Sequence, residues 1–117
     1  MEKLELELAV LINAISDTLF EQYNKRISIT SGFRDKSNPY YSAKSYHSFG
    51  LAVDFTLVEE DIFEWVYYVI QVTKNWEMNG YTVREFEVVQ DKKDQDKCHC
   101  HVAIDKGKET LYFTAEY

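Results

Sequence analysis

The chain has 117 residues, which is enough for one domain with a modest hydrophobic core and too few for several domains. Hydrophobic residues make up 45% of the chain and aromatic residues 15%, so the composition excludes an intrinsically disordered protein. The formal net charge of -7 argues against a nucleic-acid partner, because phosphate binding needs a basic face.

The first half of the chain predicts a helix, a strand, a polar loop and a second strand. Apolar residues recur at helical spacing over residues 3–24, which predicts a helix that lays one stripe on the core. Residues 27–31 alternate between apolar and polar and predict a short strand. A polar loop follows over 32–46, and the Val, Phe and Leu of residues 51–57 predict the next strand.

The second half predicts one helix and three strands. The helix covers 59–75, and the strands cover 82–89, 98–104 and 110–114, with a charged turn over 91–97. One proline and four glycines in the whole chain leave no room for a flexible linker, so a single domain should span residues 1–117. The element order predicts the α+β class, with two main helices packed on a small, mostly antiparallel sheet.

All three histidines of the chain lie in two short motifs. His47 precedes Asp54 with six residues between them, and His99 precedes His101 with one. Alternate side chains of a strand share a face, so His99 and His101 should point the same way. A carboxylate inside the apolar strand 51–57 is costly unless it meets a cation. A Zn²⁺ ion bound by His47, Asp54 and His101 would satisfy it, and would keep an open fourth position.

The two cysteines, Cys98 and Cys100, do not form a disulfide framework. Neighbouring residues of a strand point to opposite faces, so the Cys-His-Cys-His run over 98–101 cannot close on one ion. The pattern predicts two buried free thiols on the core face.

Residues 45–54, Ser-Tyr-His-Ser-Phe-Gly-Leu-Ala-Val-Asp, resemble the Ser-x-His-x-x-Gly-x-Ala-x-Asp motif of the D-Ala-D-Ala metallopeptidases. Residues 31–34, Ser-Gly-Phe-Arg, are similar to the Ser-Gly-Tyr-Arg segment of that family. Residues 99–102 resemble the closing His-x-His of the wider superfamily, which also holds lysostaphin-type endopeptidases and the hedgehog signalling domain. The resemblance covers residues 27–104 in order and implies a fold of this hedgehog and D-Ala-D-Ala peptidase type.

The resemblance also implies roles for single residues. His47, Asp54 and His101 would bind zinc, in agreement with the argument from the residues themselves. Arg34 would lie near the substrate carbonyl or a terminal carboxylate and stabilise the developing oxyanion, although a surface cation paired with the neighbouring aspartate is the plainer alternative.

Three loop residues complete the predicted site. Ser31 and Ser45 would shape the loop that carries the first histidine, and Ser45 and Tyr46 are the candidate substrate-binding residues beside Arg34. Loop aromatics such as Tyr46 often only cover the edge of a core, and that alternative stays open.

The general base is the point at which the chain departs from the family. Many members place a glutamate three residues before the last histidine, where this chain has Cys98. The substitutes are His99, Glu87 and, more distantly, Asp96, while Gln90 stands where related phage-type sequences carry a glutamate. We favour His99.

The implied activity is that of an endolysin-like zinc peptidase, a carboxypeptidase or an endopeptidase, acting on an amide bond of a peptidoglycan stem peptide or cross-bridge. The N-terminus lacks the features of a signal peptide and no apolar run could span a bilayer, so we expect the protein to be cytoplasmic as synthesised. We also expect a monomer. A phage lysis system would release it to the cell wall, or a virion would carry it. Two rivals remain: a zinc-containing but inactive binding or structural module, and an acidic interaction protein with incidental histidines.

Overall fold

A computed structural model describes residues 4–39, 42–58, 62–90, 93 and 98–116. Two short 3-10 helices, Tyr46–Phe49 and Ile62–Trp65, accompany the regular elements. None of the described helices is long and apolar enough to cross a membrane. In chain order the regular elements are α1 Leu6–Tyr23, β1 Ile27–Ser31, β2 Ala52–Leu57, α2 Val66–Thr73, β3 Glu77–Met78, β4 Tyr81–Gln90, β5 His99–Lys106 and β6 Leu111–Glu116.

The six strands form one sheet in the order β1-β2-β5-β4-β3, with β6 also paired to β4. The β1–β2, β2–β5, β4–β5 and β3–β4 pairs are antiparallel, and β6 runs parallel to β4. The predicted α+β class and the mostly antiparallel sheet are therefore confirmed. The short strand β3 and the parallel direction of β6 were not predicted.

The core lies between the helices and one face of the sheet. The buried residues of α1 recur at three- and four-residue intervals, which places them on one stripe of the helix. They belong to a single hydrophobic cluster with side chains of β2, β4, β5 and α2. Its largest fully buried members include Phe55, Phe86, Leu8, Leu11, Ile15, Leu19 and Ile104. Because this face is occupied by the helices, the polar side chains of the strands lie on the opposite face.

The helix predicted over 59–75 is shorter and begins differently. Its described part starts as the 3-10 helix Ile62–Trp65 and continues as α2, which ends at Thr73. Trp65 has φ -111° and ψ 5°, outside the α-helical region, and its side chain makes no capping hydrogen bond. Residues 59–61, and all of the predicted turn over 91–97 except Lys93, lie outside the described residues.

Two β-bulges interrupt the alternation of the strands. In β1, Ile29 pairs with Phe55 and Ser31 with Asp54, so Thr30 is an extra residue. In β4, Val83 pairs with Ile104 and Glu85 with Ala103, so Arg84 is extra. A bulge shifts the side chains beyond it by one position relative to simple alternation. Ser31 and Glu85 consequently lie on the face opposite the helices.

One row of paired residues crosses that open face. Ser31 pairs with Asp54, Asp54 with His101, His101 with Glu87, and Glu87 with Phe113. Paired residues of neighbouring strands point to the same side of a sheet, so these side chains line up across four strand boundaries.

Candidate metal centre

Three predicted metal ligands meet on this open face. His47 lies in the 3-10 helix Tyr46–Phe49, Asp54 in β2 and His101 opposite it in β5. One ligand atom of each residue lies within 4.8 Å of the other two. Within the described ranges, no other three His, Cys, Asp or Glu side chains offer ligand atoms this close together.

The short 3-10 helix places His47 through the residues at its two ends. At its start, the Ser45 hydroxyl accepts a hydrogen bond from the His47 amide at 3.2 Å. At its end, Gly50 takes a φ of 71°, a left-handed conformation that favours glycine, and its amide donates to the His47 carbonyl at 3.3 Å. The Ser-x-His-x-x-Gly spacing of the sequence therefore corresponds to a capped turn that presents the histidine to β2.

The ring of His47 is held with Nε2 toward Asp54. Its Nδ1 lies 2.8 Å from the Gly32 carbonyl oxygen, which can only accept, so Nδ1 carries a proton and donates it. The remaining nitrogen, Nε2, lies 3.2 Å from Asp54 Oδ1. A neutral imidazole would direct a lone pair at the carboxylate there, so a proton or a metal cation must lie between the two atoms.

The ring of His101 contacts the same oxygen atom and lies beside the His47 ring, with the two ring centroids 5.1 Å apart. Its Nδ1 lies 2.8 Å from Asp54 Oδ1, and its Nε2 lies 2.9 Å from Oε1 of Glu85. Tetrahedral zinc with bonds of about 2.0–2.1 Å separates its ligand atoms by about 3.3 Å. The distance of 3.2 Å from Asp54 Oδ1 to His47 Nε2 is close to that value, whereas the 2.8 Å to His101 Nδ1 is that of a hydrogen bond. Two imidazoles and one carboxylate at this spacing could hold a metal ion.

Asp54 is charged despite its burial. Burial alone would raise the pKa of its carboxyl group, but hydrogen bonds from His101 and then His47 outweigh burial and hold the pKa well below its ordinary value. The pKa of His101 changes in the complementary direction. Burial would lower it, but the hydrogen bonds to Asp54 and Glu85 raise it above the ordinary value. The predicted need of Asp54 for a cationic partner is met by these contacts.

Arg34 binds the other oxygen of the Asp54 carboxylate. Its Nη2 lies 3.2 Å from Asp54 Oδ2, and its Nε donates to the Ser31 hydroxyl at 3.0 Å. The Arg34 amide also donates to the His47 carbonyl at 3.1 Å, which ties this segment to the 3-10 helix. The plainer alternative, a surface cation paired with Asp35, is wrong, because the arginine reaches into the site and its side chain is only 18% exposed.

Two predicted substrate-binding residues have partners inside the protein. The Ser45 hydroxyl caps the 3-10 helix, as predicted for a residue that shapes the loop. The Tyr46 hydroxyl donates to Asp105 Oδ2 at 2.8 Å, and Lys108 Nζ lies 2.8 Å from the same oxygen. These contacts anchor the 3-10 helix to the end of β5. Contact of Ser45 and Tyr46 with a substrate stays a prediction.

The candidates for a general base lie along β4 and β5. Glu87 pairs with His101 in the strand register and makes no hydrogen bond or ion pair with the described residues. His99 is half-buried and shares the face of His101, as predicted from strand alternation. Asp96 lies outside the described residues, and Gln90 is the last residue of β4.

Glu85 is a site residue that the sequence analysis missed. It is the partner of His101 Nε2, and it follows the extra residue Arg84 of the β4 bulge. The sequence did contain a signal, because Glu85-Phe86-Glu87-Val88 alternates between acidic and apolar residues. The alternation places both glutamates on the face opposite the apolar side chains. The register of β4 with β5 pairs His101 with Glu87, however, so only the side-chain geometry shows that Glu85 is the glutamate that reaches the ring.

The Cys100 thiol lies in the core between the sheet and the helices, as predicted, and Cys98, just before β5, is buried as well. Cys98 and Cys100 are buried and form no disulfide. Burial, together with the charge of Asp54, raises the pKa of Cys100 to about 12. A thiol of this kind is not available as a ligand or a nucleophile at neutral pH.

No family model, curated protein or solved structure matches this chain. The kinship to the D-Ala-D-Ala metallopeptidases therefore stays a prediction from the motifs. What the described residues show is a group of two histidines and one aspartate that could hold a metal ion.

Proposed function

We propose that the protein is a zinc-dependent peptidase that hydrolyses an amide bond in the peptides of bacterial peptidoglycan. One observation carries the proposal: His47 Nε2, Asp54 Oδ1 and His101 Nδ1 converge on one position, beside a fixed arginine, on the face of the sheet that the helices leave open. The choice of substrate rests on the motif resemblance of residues 31–34, 45–54 and 99–102.

The chemistry of the donor set supports zinc. Two imidazoles and one carboxylate are a common protein ligand set for catalytic zinc, and they leave a position for water or substrate. A zinc ion bound there would lower the pKa of a coordinated water toward neutrality and polarise the scissile carbonyl.

The contacts of Arg34 suit a residue that stabilises the developing oxyanion. Its Nε and Nη2 bind Ser31 and Asp54, and Nη1 has no partner among the described residues, so it could donate to a substrate oxygen. A guanidinium that is already oriented stabilises an oxyanion without reorganising during the reaction. The same group would bind the terminal carboxylate of a carboxypeptidase substrate, so the choice between exo- and endopeptidase activity depends on the oxygen that Arg34 meets.

Although the sequence favoured His99, we assign the proton transfer to Glu87 and keep His99 as the alternative. Glu87 lies directly opposite His101 in the sheet, and its carboxylate makes no hydrogen bond or ion pair with the described residues that would occupy it. A half-buried carboxylate beside the reacting atoms suits a general base that later protonates the leaving amine. His99 lies two residues from the ligand His101, on the same face.

The test compares four proteins purified without a histidine tag: wild type, His47→Ala, Glu87→Gln and His99→Ala. We expect about one zinc per chain by elemental analysis in all but His47→Ala. Purified peptidoglycan should be digested with each protein and the released peptides identified by mass spectrometry. The bonds that the wild type cleaves should all be amide bonds. Glu87→Gln should keep its zinc and lose about 10²- to 10⁴-fold in rate. An equally large loss confined to His99→Ala would move the general base to His99, and a wild type without zinc would refute the peptidase.

The second candidate is a module that binds zinc but does not catalyse hydrolysis. The observation that favours it is the missing family glutamate, whose position is taken by the buried Cys98. Stoichiometric zinc in wild type, with no cleavage of peptidoglycan preparations that differ in stem and bridge composition, would select this candidate.

A further inference from the structure

We propose that Glu85 is a positioning residue, which holds the His101 ring with Nδ1 toward the metal position and Nε2 away from it. The inference rests on the metal site of the proposed function but not on peptidase activity. It concerns a side chain that no motif in the sequence singles out.

The two nitrogens of His101 have different partners. Nδ1 lies 2.8 Å from Asp54 Oδ1, whereas Nε2 lies 2.9 Å from Glu85 Oε1. An ionised carboxylate only accepts hydrogen bonds, so Nε2 must carry a proton to bind Glu85. In a neutral imidazole the lone pair is then on Nδ1, which is the nitrogen that faces the metal position.

This contact resembles the way in which ligand histidines are commonly oriented in metal sites. The nitrogen that does not bind the metal usually donates to a carboxylate or a backbone carbonyl, which fixes the tautomer and the ring orientation. Both histidines of this site follow that pattern, with opposite nitrogens. His47 donates Nδ1–H to the Gly32 carbonyl, and His101 donates Nε2–H to Glu85. Only the second of these contacts depends on a side chain that a substitution can remove.

The burial of the pair gives the contact its strength. The side chains of His101 and Glu85 are 15% and 29% exposed, so water competes only partly for the hydrogen bond. If Glu85 were absent, the ring could rotate or adopt the other tautomer, and zinc would have to select one arrangement from several.

Glu87 provides a matched control within the same strand. It is also a glutamate, it lies on the same face of β4, and it is the direct register partner of His101, yet it makes no hydrogen bond to the ring. A substitution at Glu87 removes a comparable charge from the neighbourhood of the metal position while leaving the His101 contact in place.

The experiment measures the zinc dissociation constant by competition with a chromophoric chelator. It compares wild type, Glu85→Ala, Glu85→Gln and Glu87→Gln, and takes the melting temperature of each zinc-free protein as a check on folding. We expect Glu85→Ala to bind zinc about 10- to 100-fold more weakly. Glu85→Gln should lose less, because its amide oxygen still accepts from Nε2–H, and Glu87→Gln should match wild type.

A second measurement reports on the ring itself. Long-range ¹H–¹⁵N correlation spectra of the zinc-loaded proteins should show a slowly exchanging proton on His101 Nε2 in wild type and Glu87→Gln, and a faster exchange in Glu85→Ala. If Glu85 had only a structural role, Glu85→Ala would lower the melting temperature but would not change zinc affinity and Nε2 proton exchange more than Glu87→Gln does.

The outcomes separate the inference from the proposed function. Equal zinc affinity and equal Nε2 proton exchange in Glu85→Ala and Glu87→Gln would overturn the role of Glu85 and leave the peptidase intact. A wild type that binds no zinc would overturn both. A zinc affinity that depends on Glu85 in a protein without hydrolytic activity would support the inference and refute the peptidase.

Discussion

Asp54 determines the chemistry of the site at the scale of single residues. One of its carboxylate oxygens lies within hydrogen-bonding distance of both imidazoles, and the other contacts the guanidinium of Arg34. An unpaired carboxylate at this depth would cost several kcal/mol, so the three partners are what allow it to stay ionised in a mostly apolar strand. The same arrangement leaves the oxygen that faces the histidines available to a cation.

The buried thiols lead to a prediction about reactivity. Cys98 and Cys100 are 2% and 0% exposed, and the pKa of Cys100 is raised to about 12 by burial and by the Asp54 charge. At pH 8 the native protein should therefore react with neither thiol when treated with a disulfide reagent such as DTNB, and with both in denaturant. Rapid labelling of two thiols in the native protein would contradict the burial of this face.

The 3-10 helix Tyr46–Phe49 is the element that the motif encodes, and Gly50 ends it. Alanine at Gly50 would have to adopt the φ of 71° that L side chains rarely take. We expect Gly50→Ala to lower the free energy of unfolding by about 1 kcal/mol and to weaken zinc binding, because the turn that carries His47 shifts. Gly50→Asn, which tolerates this conformation better, is the control in chemical denaturation and should lose less.

The anchor of the same helix predicts a pH dependence. The hydrogen bond from Lys108, and then that from Tyr46, outweigh partial burial and lower the pKa of Asp105 to about 2 from 3.8. A lowered pKa contributes stability that is present above pH 4 and is lost as the pH falls toward 2.

Asp105→Asn should thus lower the free energy of unfolding at pH 7 by about 1 kcal/mol, a value reduced for the exposure of Lys108. Urea denaturation between pH 3 and pH 7 tests this, since the difference from wild type should shrink toward the acidic end. A difference that stays constant with pH would mean that the Asp105 charge is not responsible.

The elements differ in how far the sequence predicts them. Helix α1 and strand β1 were predicted closely, because an apolar stripe or an alternating run is a local signal that pairing does not alter. The 3-10 helix and strand β3 were missed, since each spans four residues or fewer and has no periodicity to detect. The candidate ligands His47, Asp54 and His101 could be named from the sequence. Glu85 could not, because the β4 bulge sets its face and only the side-chain geometry, not the register, brings it to His101.

At the scale of the whole molecule, the fold brings segments that are far apart in the chain to one position. Gly32 and Arg34 follow β1, His47 comes from the 3-10 helix, and Asp54, His101 and Glu85 come from three adjacent strands. The helices cover the other face, so they stabilise the sheet without obstructing the site. A ligand bound here would link the loop before β2 to the centre of the sheet.

This linkage predicts that zinc stabilises the folded protein. With free zinc at 100 times its dissociation constant, the free energy of unfolding should rise by about 2.7 kcal/mol. For a domain of this size the melting temperature should increase by on the order of 10 °C. Differential scanning calorimetry of wild type and His47→Ala, with zinc and with a chelator, checks the expectation. An equal increase in both proteins would place the stabilising ion elsewhere.

Thr30 and Arg84, the extra residues of the two bulges, have no partner in the neighbouring strand. Deleting Arg84 would bring Val83, Glu85 and Phe86 into plain alternation and leave each on its present face, whereas deleting Glu85 would give a strand of the same length with Arg84 beside His101. The two deletions thus differ only in the charge placed at the site. We expect the first variant to retain wild-type zinc affinity in the chelator competition and the second to lose it. Removing Arg84 would therefore shorten the spacing between the motifs at 45–54 and 99–102 by one residue, whereas removing Thr30 would shorten only β1, before the segment 31–34. Relatives of this chain should show their alignment gaps at these two positions.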